Sequence, residues 1–182
     1  MEQAIEQVRR RLERAAAALA TAGVRYAVVG GNAVAAWVSR VEPAAVRNTR
    51  DVDILLRRAD FEKAKSAMEA AGFVHRRVAS LGKGGTMDVF LDGPEAKVRD
   101  AVRIFLAGEQ TAPELGCTET AENFELIPLV DLLWMKLTSF RDKDRMHLRD
   151  LAGVGLVDES WLARFPAALA ERLRAILDDP EG

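Results

Sequence analysis

Two aspartates, Asp51 and Asp53, stand one residue apart in the apolar run DVDILL. Successive side chains of a strand point to opposite faces, so the two carboxylates share one face while Val52 and Ile54 point into a core. Carboxylates this close repel unless protons or a cation intervene. A hard divalent cation such as Mg²⁺ takes a pair of aspartates together with phosphate oxygens and water. An alternating strand with one wet face has the same pattern, so the pair alone leaves both readings open.

A second element precedes the first. In YAVVGGNA a β-branched run ends at Gly30 and Gly31, and Asn32 then opens an amphipathic run. Strand, paired glycine and helix gather free backbone N–H groups and the positive end of a helix dipole at one point, which suits a phosphate. A side chain at either glycine would hold a triphosphate away from the backbone. The pattern is neither the dinucleotide fingerprint nor a Walker loop, because no Lys-Ser/Thr follows. Taken alone, the glycines also describe an ordinary tight turn.

Together the two elements are far more specific. GGNA after an apolar strand, followed by RNTRDVDILL, resembles the nucleotidyltransferase superfamily that includes DNA polymerase beta and the small antibiotic nucleotidyltransferases. The fuller form Arg-x-Thr-x-Asp-x-Asp, met as Arg47, Thr49, Asp51 and Asp53, is most similar to AbiEii-type and related bacterial members. The later MKLTSFRDKDRMHLRDL is similar to the helical segment that follows their catalytic domain. The resemblance implies that Gly30, Gly31 and Asn32 hold a nucleoside triphosphate, and that Asp51 and Asp53 bind Mg²⁺ or Mn²⁺ in an in-line displacement with pyrophosphate leaving. Thr49 would meet phosphate or orient Asp51. Arg47, Lys136 and Arg141 would add positive charge near the phosphates.

The family's third carboxylate has two candidate placements. Asp88 in TMDVFL is a lone acid inside an apolar strand, costly to bury without a partner, and the pattern favours it as base or shared metal ligand. If AVRIFL instead neighbours DVDILL, Arg103 stands in that position and Glu109 is the nearest acid. A site with two carboxylates could be a weak catalyst or only bind nucleotide.

The elements that must position these residues are readable in outline. A helix over 2–22 ends at Gly23. After the VRYAVV strand, Asn32 is expected to cap a helix with Val34, Trp37, Val38 and Val41 on one stripe, ended by Pro43. DVDILLR is a strand. Asp60 is expected to cap the helix FEKAKSAMEAAG, with Gly72 behind it. FVHRRVA, TMDVFL and AVRIFL are strands, the first two joined by the GKGG turn. TAPELGCTETAENFEL reads as irregular. Pro128 starts a helix with Val130, Leu133, Trp134 and Leu137 on its apolar face. RDKDRMHLRDLAGV makes a second helix, Asp158 begins a third and Pro166 a fourth. In RDKDRMHLRDL, Asp144, His147 and Asp150 read as a hydrated face. The expected fold is α/β (α+β): a small mixed sheet flanked by helices over residues 1–110, with a helical extension over 125–182.

Composition bounds the rest. The 182 residues are 49% hydrophobic and 30% charged with net charge −2, so no global basic field draws the chain to nucleic acid or membrane. The local clusters Arg57-Arg58, His75-Arg76-Arg77 and Arg141/Lys143/Arg145/Arg149 are candidates to line a groove for a polyanion. One cysteine, Cys117, forms no internal disulfide, and no signal-like or bilayer-spanning run is evident, so a cytoplasmic protein is expected. The resemblance implies an NTP partner and an acceptor that is RNA, such as a tRNA end, or a small molecule. For the toxin-like branch it also implies an antitoxin protein.

Overall fold

A computed structural model describes residues 2–79, 85–109, 111–180 and 182. Part of the GKGG turn lies outside the described residues. Seven strands form one mixed sheet: β1 (Tyr26–Val29), β2 (Val52–Leu56), β3 (Val74–Ala79), β4 (Thr86–Leu91), β5 (Ala101–Leu106), β6 (Glu119–Ala121) and β7 (Phe124–Leu126), in the order β3-β4-β5-β2-β1-β7-β6. Strands β1 and β2 are antiparallel, whereas β2–β5 and β1–β7 are parallel. Among the described residues six α-helices accompany it: α1 (Glu2–Thr21), α2 (Gly30–Ser39), α3 (Phe61–Ala70), α4 (Leu129–Ser139), α5 (Asp142–Gly153) and α6 (Ala167–Asp178).

Alternation along the central strands builds two cores. Tyr26, Val28, Val52, Ile54, Leu56 and Phe90 face helices α1 and α3. Ala27, Val29 and Leu55 face the other way and share one apolar cluster with residues of α2, α4, α5 and α6. The strands are therefore apolar on both faces, and a charged side chain among them must find a partner. The helical segment is sewn to the sheet by Trp37, whose Nε1 donates to the Ile127 carbonyl at 3.1 Å. Arg172 on α6 donates to the carbonyls of Leu137 and Thr138 at 2.6 and 3.0 Å, satisfying groups left open at the end of α4.

Several local expectations are corrected. Helix α2 starts at Gly30 with no side-chain cap, because its N-cap position falls on Val29 and Asn32 already lies inside the first turn; the Asn32 Nδ2 donates to the Asp51 carbonyl at 2.6 Å. Asp60 likewise does not cap α3, since its carboxylate pairs with Arg57. Val41 lies beyond the end of α2 and is exposed, as is Val130. The buried side of α4 instead carries Leu129, Leu132, Leu133, Met135, Lys136 and Leu137. The segment read as irregular holds the β6–β7 hairpin, and Val28 of β1 pairs with Leu126. Strands of three residues are too short to display a period; β7 forms by pairing with β1, and β6 by pairing with β7.

Candidate functional site

The turn at Gly30 fixes the site. Gly30 has φ +68°, a left-handed conformation open to glycine, and a Cβ added there would lie 2.0 Å from Asp53 Oδ2. The glycine thus lets the Asp53 carboxylate rest directly against the turn. At Gly31 an added Cβ would meet Thr49 Oγ1 at 2.7 Å. Thr49 Oγ1 in turn accepts from the Asp51 N–H at 3.4 Å, and Asn32 holds the Asp51 carbonyl, so both flank the backbone of Asp51.

The strand beside β2 decides the third position. β5 pairs with β2 so that Arg103 lies in register with Asp53. Arg103 donates through Nε and Nη2 to Asp53 Oδ1 and Oδ2 at 2.6 and 3.1 Å, and Nη2 also lies 3.0 Å from Asp51 Oδ2. Lys143 from α5 donates to Asp51 Oδ2 at 2.9 Å. Burial acts to raise the Asp51 pKa, but Lys143 and Arg103 together hold it below the ordinary carboxylate range. Burial acts against the Arg103 charge too, and the two carboxylates raise its pKa nevertheless.

Asp88 is not brought to this site. Val89, not Asp88, pairs with Arg103, so the Asp88 side chain points to the opposite face of the sheet. There it is buried and accompanied by His75 Nε2 at 2.8 Å and by Arg77, both on β3. The cost of burying the acid is offset by these neighbours. Glu109 is occupied as well, accepting from Arg58 at 2.6 and 2.8 Å.

The helical segment supplies the other wall. Gly31, Asp51, Asp53, Arg103, Lys136, Arg141, Lys143, Asp144 and His147 line a cleft of about 130 Å³. Lys136 is 6% exposed and Asp144 1%, and they form an ion pair at 3.1 Å. Asp144 also accepts from Ser139 Oγ at 2.5 Å and from the Arg141 N–H and Nε at 3.3 and 2.9 Å. Although burial opposes it, Lys136, Arg141 and Ser139 bring the Asp144 pKa down to about 2. Burial pushes the Lys136 pKa down, countered in part by Asp144. His147 is 4% exposed; burial first, then Lys136 and Lys143, lowers its pKa to about 3. Asp144 and His147 therefore belong to the interior of the cleft and not to a hydrated face. Arg47 Nε donates to Asp150 on α5 at 2.7 Å.

Sequence reading missed Lys143, Asp144 and His147 as parts of the cleft. Lys143 and Asp144 stand four and three residues before His147 on α5, a helical spacing that could have grouped them. Which side of α5 meets the glycine turn depends on how α5 packs against α2.

Two carboxylates that already hold a guanidinium and an ammonium are suited to positive charge. They fit a divalent cation provided phosphate and water supply its further oxygens. Among the described residues, no group of three or more His, Cys, Asp or Glu could hold a metal unaided.

A family described as uncharacterised nucleotidyltransferases matches residues 1–104. The chain belongs to this family. The match spans both the glycine turn and the Asp51/Asp53 strand, and nucleotidyl transfer is the activity of its class. No curated protein matches the chain. Among solved structures, the solution structure of the antibiotic-resistance factor ANT(2'')-Ia is similar, with TM-score 0.52 and 14% identity over 96% of this chain and 91% of that one. JHP933 from Helicobacter pylori has TM-score 0.51 and 18% identity over 100% and 77%. The crystal structure of ANT(2")-Ia in complex with adenylyl-2"-tobramycin has TM-score 0.51 and 14% identity over 93% and 95%. At these identities the likeness is one of fold. Among the described residues no helix is long and apolar enough to cross a membrane.

Proposed function

We propose that this nucleotidyltransferase moves a nucleoside monophosphate from an NTP to a hydroxyl of a small-molecule acceptor and releases pyrophosphate. The observation that carries the reading is the convergence of the glycine turn, the Asp51/Asp53 pair and four cationic side chains on one cleft. Gly30 and Gly31 present backbone to the phosphates, and Lys136, Arg141, Lys143 and Arg103 balance the charge of the triphosphate. Asn32 and Thr49 keep Asp51 in place. A Mg²⁺ or Mn²⁺ ion held by Asp51 and Asp53 would lend Lewis-acid charge to the α-phosphate and the departing pyrophosphate. Burial, then Lys136 and Lys143, keep His147 neutral at pH 7.

A small acceptor is favoured over RNA because the basic clusters are largely spent. Arg57 pairs with Asp60, Arg58 with Glu109, Arg77 with Asp88 and Arg145 with Asp142, so outside the cleft acidic neighbours weaken the field that would follow a phosphate backbone. The adenylylated tobramycin bound to one structural neighbour is of the favoured kind.

The test is incubation with each α-labelled NTP, Mg²⁺, and either an aminoglycoside panel or total RNA. Label should move to a small molecule, and Asp53→Asn should reduce transfer on the order of 100-fold or more. Label on RNA, together with slowed growth on expression and relief by a neighbouring antitoxin, would instead support the AbiEii-type, toxin-like branch. A second reading, a nucleotide-binding module without transfer, is favoured by Arg103 in the place of the third acid. NTP binding with no label moved to any acceptor would select it.

A further inference from the structure

We infer that Arg103 is a resident counter-ion: it keeps a divalent cation out of the Asp51/Asp53 pair until a nucleoside triphosphate draws the guanidinium away. The inference rests on the nucleotide reading above and adds an order of events to it.

Three observations carry it. The β2–β5 register seats Arg103 opposite Asp53, and Nε and Nη2 hold both Asp53 oxygens. Nη2 also reaches Asp51, so one guanidinium spans both carboxylates a cation would need. Its planar fork matches this geometry better than an ammonium does, and Lys143, 48% exposed, touches Asp51 Oδ2 alone. A divalent ion entering the free protein would lose the oxygens held by Arg103 and stand close to two fixed positive charges. A triphosphate reverses that balance, since its oxygens offer the guanidinium a bidentate alternative and give the cation the ligands the protein lacks. Arg103 is a third exposed at its side chain, so its guanidinium faces the cleft that the phosphates enter.

Electron paramagnetic resonance of Mn²⁺ tests this without turnover. Wild-type protein is titrated with Mn²⁺ alone and with Mn²⁺ plus a nucleoside α,β-methylene triphosphate, and Arg103→Met and Arg103→Asp are treated identically. Wild type should bind Mn²⁺ only with the nucleotide. Both variants should bind Mn²⁺ without it, about tenfold more tightly or better. Arg103→Lys, which keeps the charge but loses the fork, should lie between. Nucleotide affinity should fall in Arg103→Met. Each variant is compared only where its far-ultraviolet circular dichroism matches the wild type, and the methionine variant, which adds no oxygen ligand, decides the case if the aspartate variant does not fold. Equal Mn²⁺ affinity of free wild type and both variants overturns the inference and leaves the nucleotide reading standing. Failure of every protein to bind nucleotide, with or without Mn²⁺, overturns that reading and the release step with it.

Discussion

Gly30 is the residue on which the site turns, and its role differs from that of a spacer. Its left-handed backbone and the 2.0 Å approach of a would-be Cβ to Asp53 Oδ2 mean that any side chain must push the carboxylate aside. Gly30→Ala should therefore act twice. It should lower stability by about 1–2 kcal/mol through the backbone alone. It should also uncouple Asp53 from Arg103, abolishing transfer while the far-ultraviolet circular dichroism stays that of the wild type. Activity that survives the substitution would place Asp53 outside the reaction. Arg47 is 62% exposed, but its partner Asp150 is only 10% exposed at the side chain. Arg47→Ala leaves that carboxylate without its charged partner and should cost about 1–3 kcal/mol in a denaturation series.

At the scale of elements, the α4–α5 corner is built around one buried carboxylate. Phe140 takes a left-handed conformation (φ 46°) to end α4, and Asp144 gathers Lys136, Ser139 and Arg141 across the break. A non-glycine residue held at positive φ is stored strain of the kind found where a chain must turn sharply at a site. Removing one partner of the Lys136–Asp144 pair leaves an uncompensated buried charge. Lys136→Met and Asp144→Leu should each cost about 3–5 kcal/mol. The double substitution should cost less than the sum, with a coupling of about 0.5–3 kcal/mol in urea midpoints. Additive costs would show that the two charges do not depend on each other.

At the scale of the whole molecule, the cleft closes because sheet and helical segment share one apolar cluster. His147 is buried within that contact and gives it a pH signature. Its folded pKa is about 3 against 6.5 for the free side chain, so between these values the unfolded chain binds more protons. Stability should therefore fall as pH drops below 6.5, by up to roughly 1.4 kcal/mol per unit from this group. Asp144 acts in a separate window: its folded pKa of about 2 lies below the ordinary 3.8, so its stabilisation is intact above 3.8 and is lost below. Denaturant titrations between pH 7.5 and 4.5 isolate the histidine, and His147→Gln should flatten the profile. A slope unchanged in the variant would mean that other groups carry it.

The order of residues alone points to nucleotidyl transfer and outlines most of the frame. GGNA, the Asp51/Asp53 strand and the run of helices after Pro128 are local patterns, since glycine conformations, strand alternation and helix starts depend on near neighbours. The capping roles of Asn32 and Asp60 were lost at the same scale: α2 begins two residues before Asn32, and the Asp60 carboxylate pairs with Arg57. Whether Arg103 or Asp88 stands beside Asp53 is a matter of strand pairing. Both lie in apolar strands of similar pattern, and nothing local distinguishes them; the parallel pairing of β2 with β5 does. One register step then sends Asp88 to the other face of the sheet, to His75 and Arg77, and leaves a guanidinium where the acid was expected.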